Sequence, residues 1–179
     1  MKWVLYILAG LGGLLVLTVV TLVALGSRSS AGRFETTVEI AQPAPVVFEW
    51  ISEPARLKAW VGWLIDVQQV TPATGVGSRE VWVMEDRNNN NQRMDIQAEV
   101  TRHEANRLLE ARLNVSEGFT GTVTYELQPL DASRTQLTYR AAFEYDHWLA
   151  KLLEPVINRS ARQKSVEDLA RLKQLAEAR

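Results

Sequence analysis

The hairpin that decides the fold lies at residues 119–145, FTGTVTYELQPLDASRTQLTYRAAFEY. Apolar side chains occupy alternate positions in both halves: Phe119, Val123, Tyr125, Leu127, Leu137, Tyr139, Ala141, Phe143 and Tyr145. Asp131–Ser133, between the halves, is typical of a turn. This alternation predicts two antiparallel strands that are apolar on one face and wet on the other. Helical structure must then cover the apolar face.

The sequence before the hairpin predicts further strands and two short helices. Alternation from Arg33 predicts a strand at Phe34–Ile40, which Pro43 and Pro45 end. Two short helices follow, at Val46–Ser52 and from about Glu53-Pro54 to Val61, each with proline near its start. Alternation and turn signals then predict four more strands, at Leu64–Val70, Ser78–Asp86, Met94–His103 and Leu108–Val115.

The C-terminal stretch, His147–Ala178, predicts the covering helix. Its apolar residues recur at three- and four-residue steps: Leu149, Leu152, Leu153, Val156, Ile157, Ala161, Leu169, Leu172 and Ala176. Pro155 marks a kink or the true start, because a proline inside a helix loses a hydrogen bond and clashes with the preceding turn. The element order predicts an α+β fold, in which one long helix lies across the concave face of an antiparallel sheet.

The composition excludes several classes of site. Twenty Lys and Arg balance 21 Asp and Glu, so no strong positive field predicts binding to nucleic acid. The absence of Cys excludes disulfides, thiolate nucleophiles and zinc–thiolate sites. His103 and His147 are the two histidines and lie far apart, which disfavours a histidine-rich metal site. No metal or cofactor is therefore expected. Six tryptophans predict a core, pocket or interface rich in indole rings.

The N-terminal segment predicts a single-pass membrane anchor. Trp3–Gly26 reads WVLYILAGLGGLLVLTVVTLVALG and carries no charge. A helix of this length matches the roughly 30 Å hydrocarbon core of a bilayer. A cleaved signal peptide is the alternative, supported by Lys2 and the small residues of Ala24-Leu25-Gly26, although the apolar run is longer than such peptides use. We therefore divide the chain into an anchor at 1–26, a linker at 27–32 and one domain at 33–179. The side of the membrane stays open.

Three stretches of the domain resemble a known superfamily. IAQPAPVVFEWISEPARLKAWVGWL at 40–64 is similar to its strand, proline-initiated helix and Trp-ending second helix. GTVTYELQPLDASRTQLTYRAAFEY at 121–145 resembles its last hairpin, and DLARLKQLAE at 168–177 its closing helix. The superfamily is the START-like, SRPBCC or helix-grip group, in its polyketide cyclase/dehydrase-like branch. The resemblance implies a cavity between sheet and C-terminal helix that holds lipids, quinones, polyketides or other apolar molecules.

Ten residues are candidates for lining that cavity: Trp60, Trp63, Trp82, Met84, Leu113, Phe119, Tyr125, Tyr139, Leu153 and Ile157. Trp60 and Trp63 either rim the pocket mouth or pin the short helices to the sheet. Periodicity leaves open which face of the strand with Trp82 looks inward, because Val81 and Val83 make the other face apolar too. Tyr125 and Tyr139 either orient a polar ligand group or are ordinary core tyrosines with a backbone or water partner.

Periodicity places no catalytic residue inside the cavity. Asp95, Gln97, Glu99 and Arg112 oppose apolar neighbours and are predicted to face water, and His103 is predicted to be a surface residue.

Two polar segments have ordinary interpretations. Residues 86–94 echo a calcium loop but lack its glycine and its final acid, and so predict a polar hairpin tip. Arg159, Arg162 and Lys164 form a basic cluster that either meets lipid head groups or is a solvated face.

Three function hypotheses follow. The first is a membrane-tethered, non-catalytic binder or carrier of a hydrophobic small molecule. The second is an enzyme of the cyclase/dehydratase kind, which a buried ionisable residue in the pocket would favour. The third is a protein-interaction module, which a large exposed apolar patch would favour.

Overall fold

A computed structural model describes residues 2–26, 32–71, 75–86, 90–116 and 118–178 of the chain. The elements in order are α1 (Lys2–Gly26), β1 (Arg33–Ile40), α2 (Ala44–Ser52), α3 (Pro54–Trp60), β2 (Leu64–Gln69), β3 (Arg79–Asp86), β4 (Gln92–Glu104), β5 (Leu108–Val115), β6 (Phe119–Pro129), β7 (Thr135–Tyr145) and α4 (Trp148–Glu177). The predicted order of strands and helices is confirmed, and most boundaries agree within two or three residues.

The seven strands form one antiparallel sheet in the order β1-β7-β6-β5-β4-β3-β2. Strands β2 to β7 form a meander, and β1 closes the sheet by pairing with β7. In the deciding hairpin Tyr125 lies opposite Tyr139 and Leu127 opposite Leu137, so its apolar residues share one face as predicted. Thr138 departs from the pattern: it is buried on the other face, with its hydroxyl 3.4 Å from that of Thr37.

The helices α2, α3 and α4 cover the apolar face of the sheet, and the α+β helix-grip prediction is confirmed. The core residues with no exposed surface come from both layers: Ile40, Val47, Leu137 and Leu172. Trp60 at the end of α3 is 3% exposed, and its indole Nε1 donates to the Trp50 carbonyl at 2.8 Å. This bond ties α3 to α2, and the Trp60 ring also meets the ring of Tyr125 on the sheet edge-on, with 6.3 Å between ring centres.

The long helix α4 runs without interruption from Trp148 to Glu177, with Pro155 inside it. The interpretation of Pro155 as the true start is therefore wrong. The start lies at His147, whose Nδ1 accepts from the Leu149 amide at 3.2 Å and whose carbonyl accepts from the Lys151 amide at 3.0 Å. Capping at His147 supplies partners for the first turn, and the helix continues through the proline.

The N-terminal segment forms the helix α1, which contacts α4. Trp3 and Tyr6 of α1 are 83% and 74% exposed. Among the residues that the structure describes, no helix is both long and apolar enough to cross a bilayer. The anchor stays a prediction. Residues 27–31 of the predicted linker lie outside the described residues, and beyond them the Gly32 carbonyl accepts from the Phe143 amide at 2.8 Å.

The polar segment at 86–94 joins β3 to β4. Asn90 and Asn91 have φ angles of 53° and 56°, the left-handed region that asparagine tolerates better than most residues. Residues 87–89 of this segment lie outside the described part of the chain. On either side of them, Asp86 of β3 pairs with Gln92 of β4, so the two strands are paired up to the ends of the segment.

Candidate functional site

A pocket of about 330 Å³ lies between the inner face of the sheet, α3 and the middle of α4. Its walls are mostly apolar and come from eight elements and the loop after α3: Phe34, Trp60, Val61, Trp63, Trp82, Met84, Met94, Ile96, Leu113, Phe119, Val123, Tyr125, Tyr139, Phe143, Tyr145, Ile157, Ala161, Lys164, Ser165, Asp168 and Leu169. The structure thus leaves open volume where the C-terminal helix crosses the sheet.

Most candidate lining residues lie around this pocket: Trp60, Trp63, Trp82, Met84, Leu113, Phe119, Tyr125, Tyr139 and Ile157. The inward face of β3 is therefore the one with Trp82 and Met84. The role of all these candidates in ligand binding stays a prediction.

Leu153 is the exception: it lies outside the pocket and is 39% exposed. The side of α4 that faces the sheet in this turn carries Glu154 and Asn158, and Asn158 accepts from the Tyr145 hydroxyl at 3.1 Å. Leu153 lies about 100° around the helix from Glu154, which turns it toward solvent.

The pocket contains a buried ionisable residue, Asp168, which periodicity did not predict. Asp168 is 7% exposed, and its Oδ1 accepts hydrogen bonds from Lys164 Nζ and, at 3.1 Å, from the Gly62 amide. A Cβ at Gly62 would lie 2.6 Å from Lys164 Nζ, so a side chain there would displace the lysine. The Lys164–Asp168 pair therefore joins α4 to the loop after α3.

The assignment of Lys164 to a solvated basic cluster is wrong. Arg159 and Arg162 are exposed, but the Lys164 side chain is only 20% exposed. Its ammonium lies 5.5 Å from the centre of the Trp63 ring, within reach of a cation–π interaction. Lys164 is turned inward because it lies one helical turn before its partner Asp168.

Two tyrosines face this ion pair from the sheet. The Tyr125 ring centre lies 5.1 Å from that of Tyr139 and 6.3 Å from that of Trp60. Burial raises the pKa of Tyr125 well above its usual value, and Tyr139 and Asp168 raise it further. Burial also raises the pKa of Tyr139, which a hydrogen bond with Ser165 partly opposes. Both hydroxyls therefore stay protonated at neutral pH and can donate hydrogen bonds.

These residues form one polar cluster in an otherwise apolar pocket, the tyrosine–aspartate cluster: Tyr125, Tyr139, Lys164, Ser165 and Asp168. None of the described buried side-chain nitrogen or oxygen atoms lacks a hydrogen-bond partner. At one place in the cavity, the cluster can donate hydrogen bonds to a ligand oxygen or accept one from a ligand hydroxyl. The remaining walls can contact the apolar part of the ligand.

The residues predicted to face water lie outside this pocket. Asp95, Gln97 and Arg112 are exposed, whereas Glu99 is half-buried and pairs with Arg79 at 3.4 Å. His103 is exposed as predicted, and its ring meets that of Phe48 edge-on, with 5.4 Å between ring centres.

A comparison with protein families finds one family model that matches residues 31–177, described as polyketide cyclase/dehydrase and lipid transport. The match covers the sheet, α2, α3 and α4. Among curated proteins, none matches the chain in sequence.

Solved structures share the fold at low sequence identity. The Zhui aromatase/cyclase from a Streptomyces species superposes with a TM-score of 0.69 and 16% identity, covering 81% of this chain and 93% of its own. A START superfamily protein from Mycobacterium smegmatis gives 0.65 and 15%, covering 80% and 98%. A conserved protein from Geobacillus kaustophilus gives 0.68 and 14%, covering 80% and 94%. At these identities the likeness establishes the fold alone.

Proposed function

The chain belongs to the polyketide cyclase/dehydrase and lipid transport family, and from this premise we propose that it binds a hydrophobic small molecule in the pocket beneath α4. The ligand is an amphiphile: a lipid, quinone or polyketide-like molecule whose oxygen meets the tyrosine–aspartate cluster. The apolar remainder contacts the sheet.

One observation carries this proposal: the pocket combines apolar walls with a buried, hydrogen-bonded polar cluster. If this region were only a stable core, side chains would fill the space between the sheet and α4, because protein interiors pack as densely as organic crystals. Here the inner face of the sheet carries large side chains, Trp82, Met84 and Phe119, yet about 330 Å³ stays open. That volume lies in the lower part of the range of small-molecule sites.

Co-purification tests the proposal. Full-length protein isolated in a mild detergent is extracted with organic solvent, and the extract is compared with that of Ala161→Trp, in which an indole occupies the pocket. We expect an apolar molecule in the wild-type extract, near one per chain, and much less with Ala161→Trp. Equal amounts in both extracts, or a wild-type chain that stays empty against lipid, quinone and polyketide panels, would overturn the proposal.

Tethering to a membrane is a separate part of the proposal. Its support is the uncharged sequence of Trp3–Gly26, the helical conformation of α1 and the exposed apolar residues where α4 begins, Trp148, Leu149 and Val156. A domain held at the bilayer lies close to apolar ligands. We expect the chain to stay in the membrane pellet after a carbonate wash, and release into the supernatant would contradict the tether.

A second candidate function is a cyclase or dehydratase, favoured by the position of Asp168 in the pocket. A carboxylate beside two tyrosine hydroxyls is a set that can remove a proton from carbon and protonate a departing hydroxyl. Loss of water from the bound molecule balances such a step: the base takes a proton, and the acid gives one to the leaving oxygen. Incubation of the isolated ligand with the protein distinguishes the two, since a carrier returns it unchanged in mass.

A further inference from the structure

A second cavity, the α3 cleft, adjoins the ligand pocket on the far side of two shared side chains. The α3 cleft has a volume of about 320 Å³ and lies between the α2–α3 junction and the strands β2 to β5. Trp82 and Tyr125 line both the α3 cleft and the pocket under α4. These two residues therefore form the wall between the cavities.

The two residues of the wall are held differently. Tyr125 is 6% exposed and fixed by ring contacts with Trp60 and Tyr139. Trp82 is half-buried, and its indole Nε1 donates to Glu80 Oε2 at 2.9 Å, a contact between two residues of one strand. The Trp82 ring also packs against the buried core, but this hydrogen bond links it only to its own strand, and breaking such a bond costs about 1 kcal/mol. Trp82 is therefore the less constrained half of the wall.

The cleft exists because two inner-face positions carry alanine. Ala98 on β4 and Ala111 on β5 are each 6% exposed and line the cleft but not the pocket. Their neighbours two residues along the same strands and on the same face are Ile96 and Leu113, which line the pocket. Larger side chains at the two alanines would fill the cleft, so the sequence itself leaves this volume open.

We propose that the α3 cleft and the pocket are two compartments of one ligand site, joined when the Trp82 indole turns aside. This inference rests on the proposed function and narrows the ligand class to an elongated chain with one polar end, rather than a compact fused-ring molecule. The polar end meets the tyrosine–aspartate cluster, and the tail extends past Trp82 into the cleft. Of the described residues that line the cleft, none is Lys or Arg, and Glu53 and Glu80 are acidic. The tail end therefore carries no negative charge.

A series of para-alkylphenols with ethyl, butyl, hexyl and octyl tails tests the inference. Binding to the full-length protein in nanodiscs is measured for wild type, for Ala111→Leu, which fills the cleft, and for Ala170→Leu on the exposed face of α4. Each buried methylene strengthens binding about fourfold. We expect wild type and Ala170→Leu to gain at least about tenfold from butyl to octyl, and Ala111→Leu to gain less than about threefold. Partition into the nanodisc is common to all variants and cancels in the comparison.

The outcomes separate the inference from the function on which it rests. If the short phenols bind and Ala111→Leu gains from longer tails as much as wild type does, the cleft is no part of the site and the proposed function stands. If no phenol binds to any variant, both are overturned. Ala98→Val fills the same cleft from the neighbouring strand and gives the same readout if Ala111→Leu does not fold.

Discussion

Replacing Lys164 with methionine is expected to lower the free energy of unfolding by about 3 kcal/mol. The substitution keeps an apolar side chain of similar length but removes the counter-ion of Asp168, whose side chain is only 10% exposed. The Gly62 amide would then be the single remaining donor at Oδ1 among the contacts of this pair. A buried carboxylate without its partner retains its cost of desolvation and loses the attraction that offset it. Urea denaturation of the full-length protein measures the change.

Two further variants make this prediction specific. Lys173→Met removes a lysine from a pair with the same i, i+4 spacing on the same helix, but the side chains of Lys173 and Glu177 are 42% and 28% exposed. Its cost should be within about 1 kcal/mol. Lys164→Met combined with Asp168→Leu should recover most of the loss, because replacing both members of a buried pair with apolar residues is often neutral. A Lys164→Met protein no less stable than Lys173→Met would show that Asp168 is not a buried charge.

Replacing Ala161 with tryptophan is expected to weaken ligand binding at least about a hundredfold, close to 2.7 kcal/mol. Ala161 lies on α4 and lines the pocket, so the indole would occupy the space that the ligand needs. Because the added ring fills open volume instead of displacing packed side chains, stability should change little or rise. Calorimetric titration with para-butylphenol measures binding, and thermal unfolding measures stability.

Ala170→Trp is the matched control for this substitution. Ala170 lies nine residues further along α4 and is exposed, so the same change there adds an indole to the outer face. Binding should stay within about twofold of wild type, since no ligand contact is altered. If both variants lost binding to a similar extent, or if neither lost any, the ligand would be held outside the pocket.

The sheet was predictable because its strands alternate strictly where one face is wet. In β6 and β7 a shift of one residue would bury Thr124 and Arg140 and expose Leu127 and Leu137, so the register follows from hydrophobicity alone. Trp82 shows where this reasoning ends. Valines on both sides of it make β3 apolar on both faces, and its orientation depends on which face α4 covers.

The polar cluster was not predictable from periodicity, for a physical reason. A charged residue in an amphipathic helix usually marks the solvated face, and the solvated interpretation of Lys164 rested on that basis. Lys164 and Asp168 instead neutralise each other at i, i+4 spacing, which lets both turn inward beside Trp63. The i, i+4 spacing of Lys164 and Asp168 was visible in the sequence. Pairs with this spacing also occur on the exposed faces of helices, so the spacing alone does not predict burial.

The long helix shows the same limit at its N-terminal end. The apolar steps of α4 included Leu153, Val156 and Ile157, yet only Ile157 reaches the pocket. Leu153 and Val156 are 39% and 60% exposed. The apolar residues of α4 extend around more of the helix than the sheet can cover. The position of the sheet therefore decides which of them are buried.

The location of a bound ligand tests the central claim most directly, namely that the space between sheet and α4 is a binding site. A photoreactive diazirine analogue of para-butylphenol is cross-linked to the full-length protein, and the labelled peptides are identified by mass spectrometry. We expect adducts on the strands and helix that line the pocket, at or near Met84, Met94 and Ile157, and their loss in Ala161→Trp. Adducts confined to α1, or adducts that Ala161→Trp leaves unchanged, would contradict the account.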